Sequence, residues 1–101
     1  MEIHQISHTF AQGKSYIEFL RTQHLSAGVY RLAKGAIDPQ RPHGQEEIYY
    51  VISGAAQFRG EGRDSQVRAG DVVFVPAKEA HSFHNIEEDL ELLVFFAPPE
   101  G

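Results

Sequence analysis

Apolar residues fall in short runs along this chain, some of them alternating with polar ones, and no stretch carries a helix-length amphipathic period of any strength. The pattern predicts short strands separated by glycine and proline turns. Tyr16–Leu20 is rich in aromatic and β-branched residues and reads as the first strand. Leu25–Leu32 reads as the second, closed by Lys34-Gly35. Two prolines, Pro39 and Pro42, keep the next segment out of any helix. Ile48–Ile52 reads as a strand that stops at a Ser53-Gly54 turn, with Ala55–Arg59 as its hairpin partner. Ser65–Arg68 follows as a short strand. Val72–Val75 is apolar on both faces and is predicted to be buried, halted by Pro76. His81–Ile86 and Leu90–Phe96 are predicted as two strands joined by a solvated acidic turn at Glu87-Glu88-Asp89. Residues 1–14 are polar and without a clear period, and read as an arm or an edge strand.

Short strands at regular spacing mean a sandwich or barrel, so the expected fold class is all-β. With 101 residues the chain is expected to form one domain around one core. In the last strand Leu90, Leu92, Val94 and Phe96 share one face, while Leu93 and Phe95 share the other. A small chain rarely covers both faces of a terminal strand by itself, so a homodimer is expected, with a second subunit or a swapped N-terminal arm as the cover.

Composition narrows the function classes. The formal net charge is −5 with no basic cluster, which argues against nucleic acid as a partner. No run is long and apolar enough to cross a bilayer as a helix, and the first residues do not resemble a signal peptide. There is no cysteine. Disulfides, thiolate zinc sites and a cysteine nucleophile are therefore excluded, and a cytoplasmic location is expected. No Gly-x-Ser-x-Gly turn offers an activated serine.

Two stretches carry the candidate chemistry. In the first, Gly35, Arg41, His43, Glu47 and Gly54 are separated by five, one, three and six residues. In the second, Gly70, Pro76, Lys78, His81 and Asn85 are separated by five, one, two and three. This order and spacing resembles the two motifs of the cupin family, with two departures. Arg41 stands where the family has its first metal-binding His, and Lys78 where it has a turn glycine. The resemblance implies a double-stranded β-helix, or jelly-roll barrel. It also implies a divalent transition metal (Fe, Mn, Ni or Zn) held by His43, Glu47 and His81. Imidazole and carboxylate are ordinary ligands for these ions, and three protein ligands leave positions open. Taken singly, each histidine is better explained as a polar residue at a barrel mouth; together with Glu47, at the family spacing, they favour a metal.

Arg41 has no lone pair to offer a metal. Three readings stay open for it: a side chain in solvent, a clamp for an anionic group, or the mark of a site that has lost its metal. Tyr49 shares the parity of Glu47 and is expected to point inward, its hydroxyl a hydrogen-bond donor. Phe83 and Asn85 share the parity of His81 and are expected inward as well, whereas His84 is expected to face away. His4, His8 and His24 read as arm or surface residues. The functional expectation is a metal-dependent small-molecule enzyme, oxygenase- or isomerase-like, with Glu47, Tyr49 and Arg41 acting on the substrate. The alternatives are a non-catalytic ligand-binding or sensing module and a metal-free structural dimer. Fold alone does not choose among them.

Overall fold

The computed structural model describes residues 1–99. A short helix, α1 (Ile6–Phe10), precedes six strands: β1 (Tyr16–Arg21), β2 (Ser26–Leu32), β3 (Glu46–Gly60), β4 (Arg63–Arg68), β5 (Val72–Val75) and β6 (His81–Ala97). All pairings are antiparallel, in the order β1-β2-β6-β3-β4, with β5 on the free side of β3. The architecture is the all-β jelly-roll barrel that the motifs imply.

Two long strands build it. Residues 46–53 of β3 pair with residues 91–97 of β6, and residues 55–60 pair with residues 81–88. Between these halves the register shifts repeatedly around Ser53 and Ala55. Gly54 sits there with φ +98°, and a side chain on it would collide with the Asp89 carbonyl. Only glycine permits both that conformation and that approach. The predicted Ser53-Gly54 turn is thus a bulge that bends one continuous strand, as bulges do at barrel corners. The predicted acidic turn is likewise part of a strand. Residues 87–89 are exposed in β6, and Asp89 accepts a hydrogen bond from the Lys34 backbone N–H at 2.8 Å, which pins the turn after β2.

Alternation decides what is buried. Glu47, Tyr49 and Val51 point in from β3, and Leu90, Leu92, Val94 and Phe96 from β6, all nearly inaccessible to solvent. Phe58 and Phe83 meet edge-to-face beneath them, ring centroids 4.9 Å apart. Asn85 departs from the expected parity. It adopts φ +46°, in the left-handed region that asparagine tolerates, and is exposed, so Ile86 takes the inward place. Strand β5 is not buried on both faces either, since Val72 and Phe74 are more than half exposed. In register with them lie Ile48 and Tyr50 of β3, and beyond those Phe95 and Leu93 of β6. Together they form an apolar outer face.

Residues 1–14 form no edge strand; of the two expected forms the arm remains, and it carries a short helix. Its helix α1 buries Phe10 and packs against β1 and β2. No helix among the described residues is long and apolar enough to cross a membrane.

Candidate metal centre

The loop between β2 and β3 crosses one end of the barrel, and its prolines keep it extended. His43 sits on that loop, and its carbonyl accepts the Lys78 backbone N–H, which ties the two motif segments together. Lys78 makes this bond with φ +68°, the left-handed conformation that a glycine would adopt without strain. Glu47 is the first inward residue of β3 and Tyr49 the second, while His81 opens β6.

These elements bring the donor atoms of His43, Glu47 and His81 within 4.8 Å of one another. His81 Nε2 lies 3.0 Å from Glu47 Oε1, both side chains about 1% exposed. The Tyr49 hydroxyl is 3.3 Å from the same Nε2. The other ring nitrogen, Nδ1, is 2.9 Å from the Glu79 carbonyl, which can only accept a hydrogen bond. That bond places the proton on Nδ1 and turns the Nε2 lone pair into the site, the orientation typical of a ligating histidine. The His43 ring packs edge-on against Phe96, centroids 5.2 Å apart.

The cluster fits a divalent cation on a direct observation. Glu47 Oε1 is buried and has no hydrogen-bond partner, although His81 Nε2 lies 3.0 Å away. A carboxylate oxygen facing an imidazole lone pair at that distance calls for a proton or a cation between them. For His81 burial is the largest influence and opposes charging. Glu47, the Glu79 carbonyl and Asp38 outweigh it, so the pKa is raised above the ordinary histidine value. Burial, then the charge of Glu47, pushes the Tyr49 hydroxyl far up, so it remains a protonated donor.

A cavity of 330 Å³ opens beside this cluster, its walls including Tyr16, Tyr30, Gln40, Arg41, His43 and Phe96. Arg41 is exposed and stands at its mouth, rather than within the cluster. Phe83 does not line the cavity; it is core, packed against Tyr49 at 4.9 Å. His84 faces away, as expected, and lies 3.0 Å from Asp64. His4, His8 and His24 are exposed.

Sequence reasoning missed Asp38, Gln40, Tyr16 and Tyr30. Asp38 is only 8% exposed and accepts hydrogen bonds from the Tyr30 hydroxyl at 2.7 Å and the Phe83 backbone N–H at 2.9 Å. Burial raises its pKa, although these partners and Gln40 pull the other way. In sequence, Asp38-Pro39 is an ordinary loop pair, and nothing local marks it as buried. Tyr16 and Tyr30 are cross-strand partners of β1 and β2, a relation that alternation could have exposed had the pairing been known.

The family model described as "Cupin domain" matches residues 28–96. An uncharacterized protein of Streptomyces coelicolor is 48% identical over 91 residues, 90% of this chain and 87% of its own length. An oxalate-binding protein of Thermotoga maritima is 43% identical over 51 residues, 50% of this chain. Among solved structures, the DMSP lyase DddQ from Ruegeria pomeroyi aligns over 75% of this chain with TM-score 0.70 and 30% identity. A predicted oxalate decarboxylase from Thermotoga maritima aligns over 81% of this chain and 77% of its own, with TM-score 0.71 and 27% identity. The match spans 42% of the oxalate-binding protein and 39% of the DddQ chain.

Proposed function

The chain belongs to the cupin domain family, and on that premise we propose that it is a small-molecule enzyme whose His43, Glu47 and His81 hold a divalent transition metal: Fe, Mn, Ni or Zn. The observation that carries this reading is the buried Glu47 Oε1, left without a hydrogen bond among two imidazoles. A bound ion of this class supplies Lewis acidity, polarising a substrate oxygen.

The protein's own residues do the rest. Glu47 and Nδ1-anchored His81 are held rigidly by strands, so their donor atoms need little reorganisation. Tyr49 presents a hydroxyl that stays protonated and can hydrogen-bond a substrate oxygen. Val94 and Phe96 give the cavity dry walls. Arg41 at the mouth would take an anionic group of the substrate in a charge-assisted hydrogen bond. The cavity is near the lower end of the size range of small-molecule sites, so the substrate is a compact oxygenated compound. Relatives named for oxalate binding and oxalate decarboxylation agree with a small carboxylate. Oxygen insertion and isomerisation are the reaction classes we favour.

A second reading, a non-catalytic binding module, draws on Arg41 in place of a motif histidine and on the relative named an oxalate-binding protein. Elemental analysis of untagged protein, after incubation with Fe, Mn, Ni and Zn salts, separates the two. The enzyme reading expects close to one equivalent in the parent and in His84→Ala, and little in His81→Ala. Below about a tenth of an equivalent in the parent, the metal-free binding module is the better account.

A further inference from the structure

Gln40 is half-buried beside the cluster and contacts it from the loop side. Its amide nitrogen donates to the Tyr49 hydroxyl at 2.7 Å, and its carbonyl oxygen lies 3.2 Å from His43 Nε2. In the structure the amide nitrogen faces Tyr49 and the carbonyl oxygen faces His43. The Asp38 carboxylate accepts from Tyr30 and from the Phe83 backbone, and the Gln40 side chain is a further group that holds its charge. That influence agrees with this orientation, since a carboxylate attracts only the amide nitrogen.

Two nitrogen–oxygen pairs meet in this site. Gln40 Oε1 faces His43 Nε2, and Glu47 Oε1 faces His81 Nε2 at 3.0 Å. The first pair is a hydrogen bond while His43 carries its proton on Nε2; once that nitrogen gives its lone pair to an ion, the Gln40 oxygen loses this partner. The second pair needs a proton or a cation between its atoms. The Nε2 of His81 carries a lone pair because its proton is on Nδ1, and Glu47 Oε1 has no hydrogen bond. A cation held by His43 Nε2, Glu47 and His81 would therefore sit beside a Gln40 oxygen that has lost its hydrogen bond. Arg41, at the position where the motif expects a ligand, has none to give and is exposed, while its neighbour Gln40 turns inward.

We propose that the Gln40 carbonyl oxygen is a fourth protein ligand of the metal centre, standing in for the ligand that Arg41 cannot supply. This rests on the reading of His43, Glu47 and His81 as ligands. A carboxamide oxygen is neutral, as an imidazole is, but a harder donor, and it biases the centre towards ions that accept oxygen as readily as nitrogen.

The test titrates full-length protein with Co²⁺ in competition with a chelator, using the parent, Gln40→Leu, Gln40→Glu, Tyr49→Phe and the Gln40→Leu/Tyr49→Phe double variant. Gln40→Leu is expected to weaken binding by on the order of tenfold or more, since even indirect partners of a ligand matter that much. Gln40→Glu, which keeps an oxygen there and adds charge, is expected to bind at least as tightly as the parent. The Gln40→Leu loss should persist in the Tyr49→Phe background, which separates a ligand from a residue that merely holds Tyr49. If Gln40→Leu binds like the parent, or its loss vanishes without the Tyr49 hydroxyl, the proposal is overturned while the three-residue centre stands. Should Gln40→Leu fail to fold, weaker binding by Gln40→Glu overturns it equally. A folded parent that binds no Co²⁺ removes the centre and this ligand with it.

Discussion

His81 Nε2 and Glu47 Oε1 lie 3.0 Å apart at the bottom of the barrel mouth, each on a side chain about 1% exposed. In the metal-free protein a proton on His81 relieves this pair, which is why its pKa is raised against the opposing effect of burial. A proton and a metal ion compete for one place, so the pair links pH, stability and metal binding.

The sign for the metal-free protein follows from linkage. A folded-state pKa raised above the unfolded value of 6.5 gives stability that is fully present below 6.5 and is lost as pH rises through the raised value. Melting temperature of the metal-free protein is expected to fall over that window, and His81→Gln to flatten the profile. The metal-loaded protein should behave oppositely, gaining stability as pH rises and the ring loses its proton. Thermal melts with and without chelator, across pH, check both slopes.

Arg41 stands at the cavity mouth, where it would meet the charged end of a ligand. With oxalate as the probe, Arg41→Ala is expected to weaken binding by about 1.5–3 kcal/mol, the usual worth of a charge-assisted hydrogen bond. Calorimetry on parent and variant measures it. Equal affinities would place Arg41 in solvent. If Arg41 merely marks a lost ligand position, Arg41→His should instead raise metal affinity.

Gly54 bends β3 where its backbone approaches the Asp89 carbonyl. Gly54→Ala forces a side chain into a left-handed residue and into a neighbouring backbone. Its expected cost is about 3 kcal/mol or more, read by denaturant unfolding. A loss under about 1 kcal/mol would mean that the bulge relaxes easily.

Lys78 holds a left-handed conformation without being glycine. Lys78→Gly is expected to relieve strain of about 1 kcal/mol, partly offset by the greater freedom of glycine in the unfolded chain. A small rise in stability is the outcome to look for, with no change in metal affinity. A clear drop would show that the Lys78 side chain contributes more than its backbone geometry suggests.

The outer face of Ile48, Tyr50, Val72, Phe74, Leu93 and Phe95 is the surface on which we place a second copy of the chain. Light scattering at micromolar concentration is expected to give about twice 11.3 kDa. Phe74→Asp, on the half-exposed edge of that face, should return a folded monomer. A parent that already scatters as a monomer contradicts the assembly.

Much of this protein is written locally. A period of two puts Glu47, Tyr49 and Val51 on one face whatever lies around them, because successive side chains of a strand must point to opposite sides. The resemblance of the two motifs to the cupin family implied a cluster of His43, Glu47 and His81, and the structure brings these three together. Other features depend on partners far along the chain. Whether Gly54 turns the chain or bulges it is decided by β6, which pairs with β3 on both sides of the glycine. Exposure of Val72 and Phe74 is decided by what covers β5, which an apolar sequence does not specify. Asp38 is buried because Phe83, 45 residues later, offers it a backbone N–H. Gln40 is turned into the site by the Tyr49 hydroxyl on β3 as well as by His43 in its own loop. Side-chain direction within a strand is local geometry, but burial and hydrogen-bond partners of a loop come from tertiary closure, and only that closure decided them.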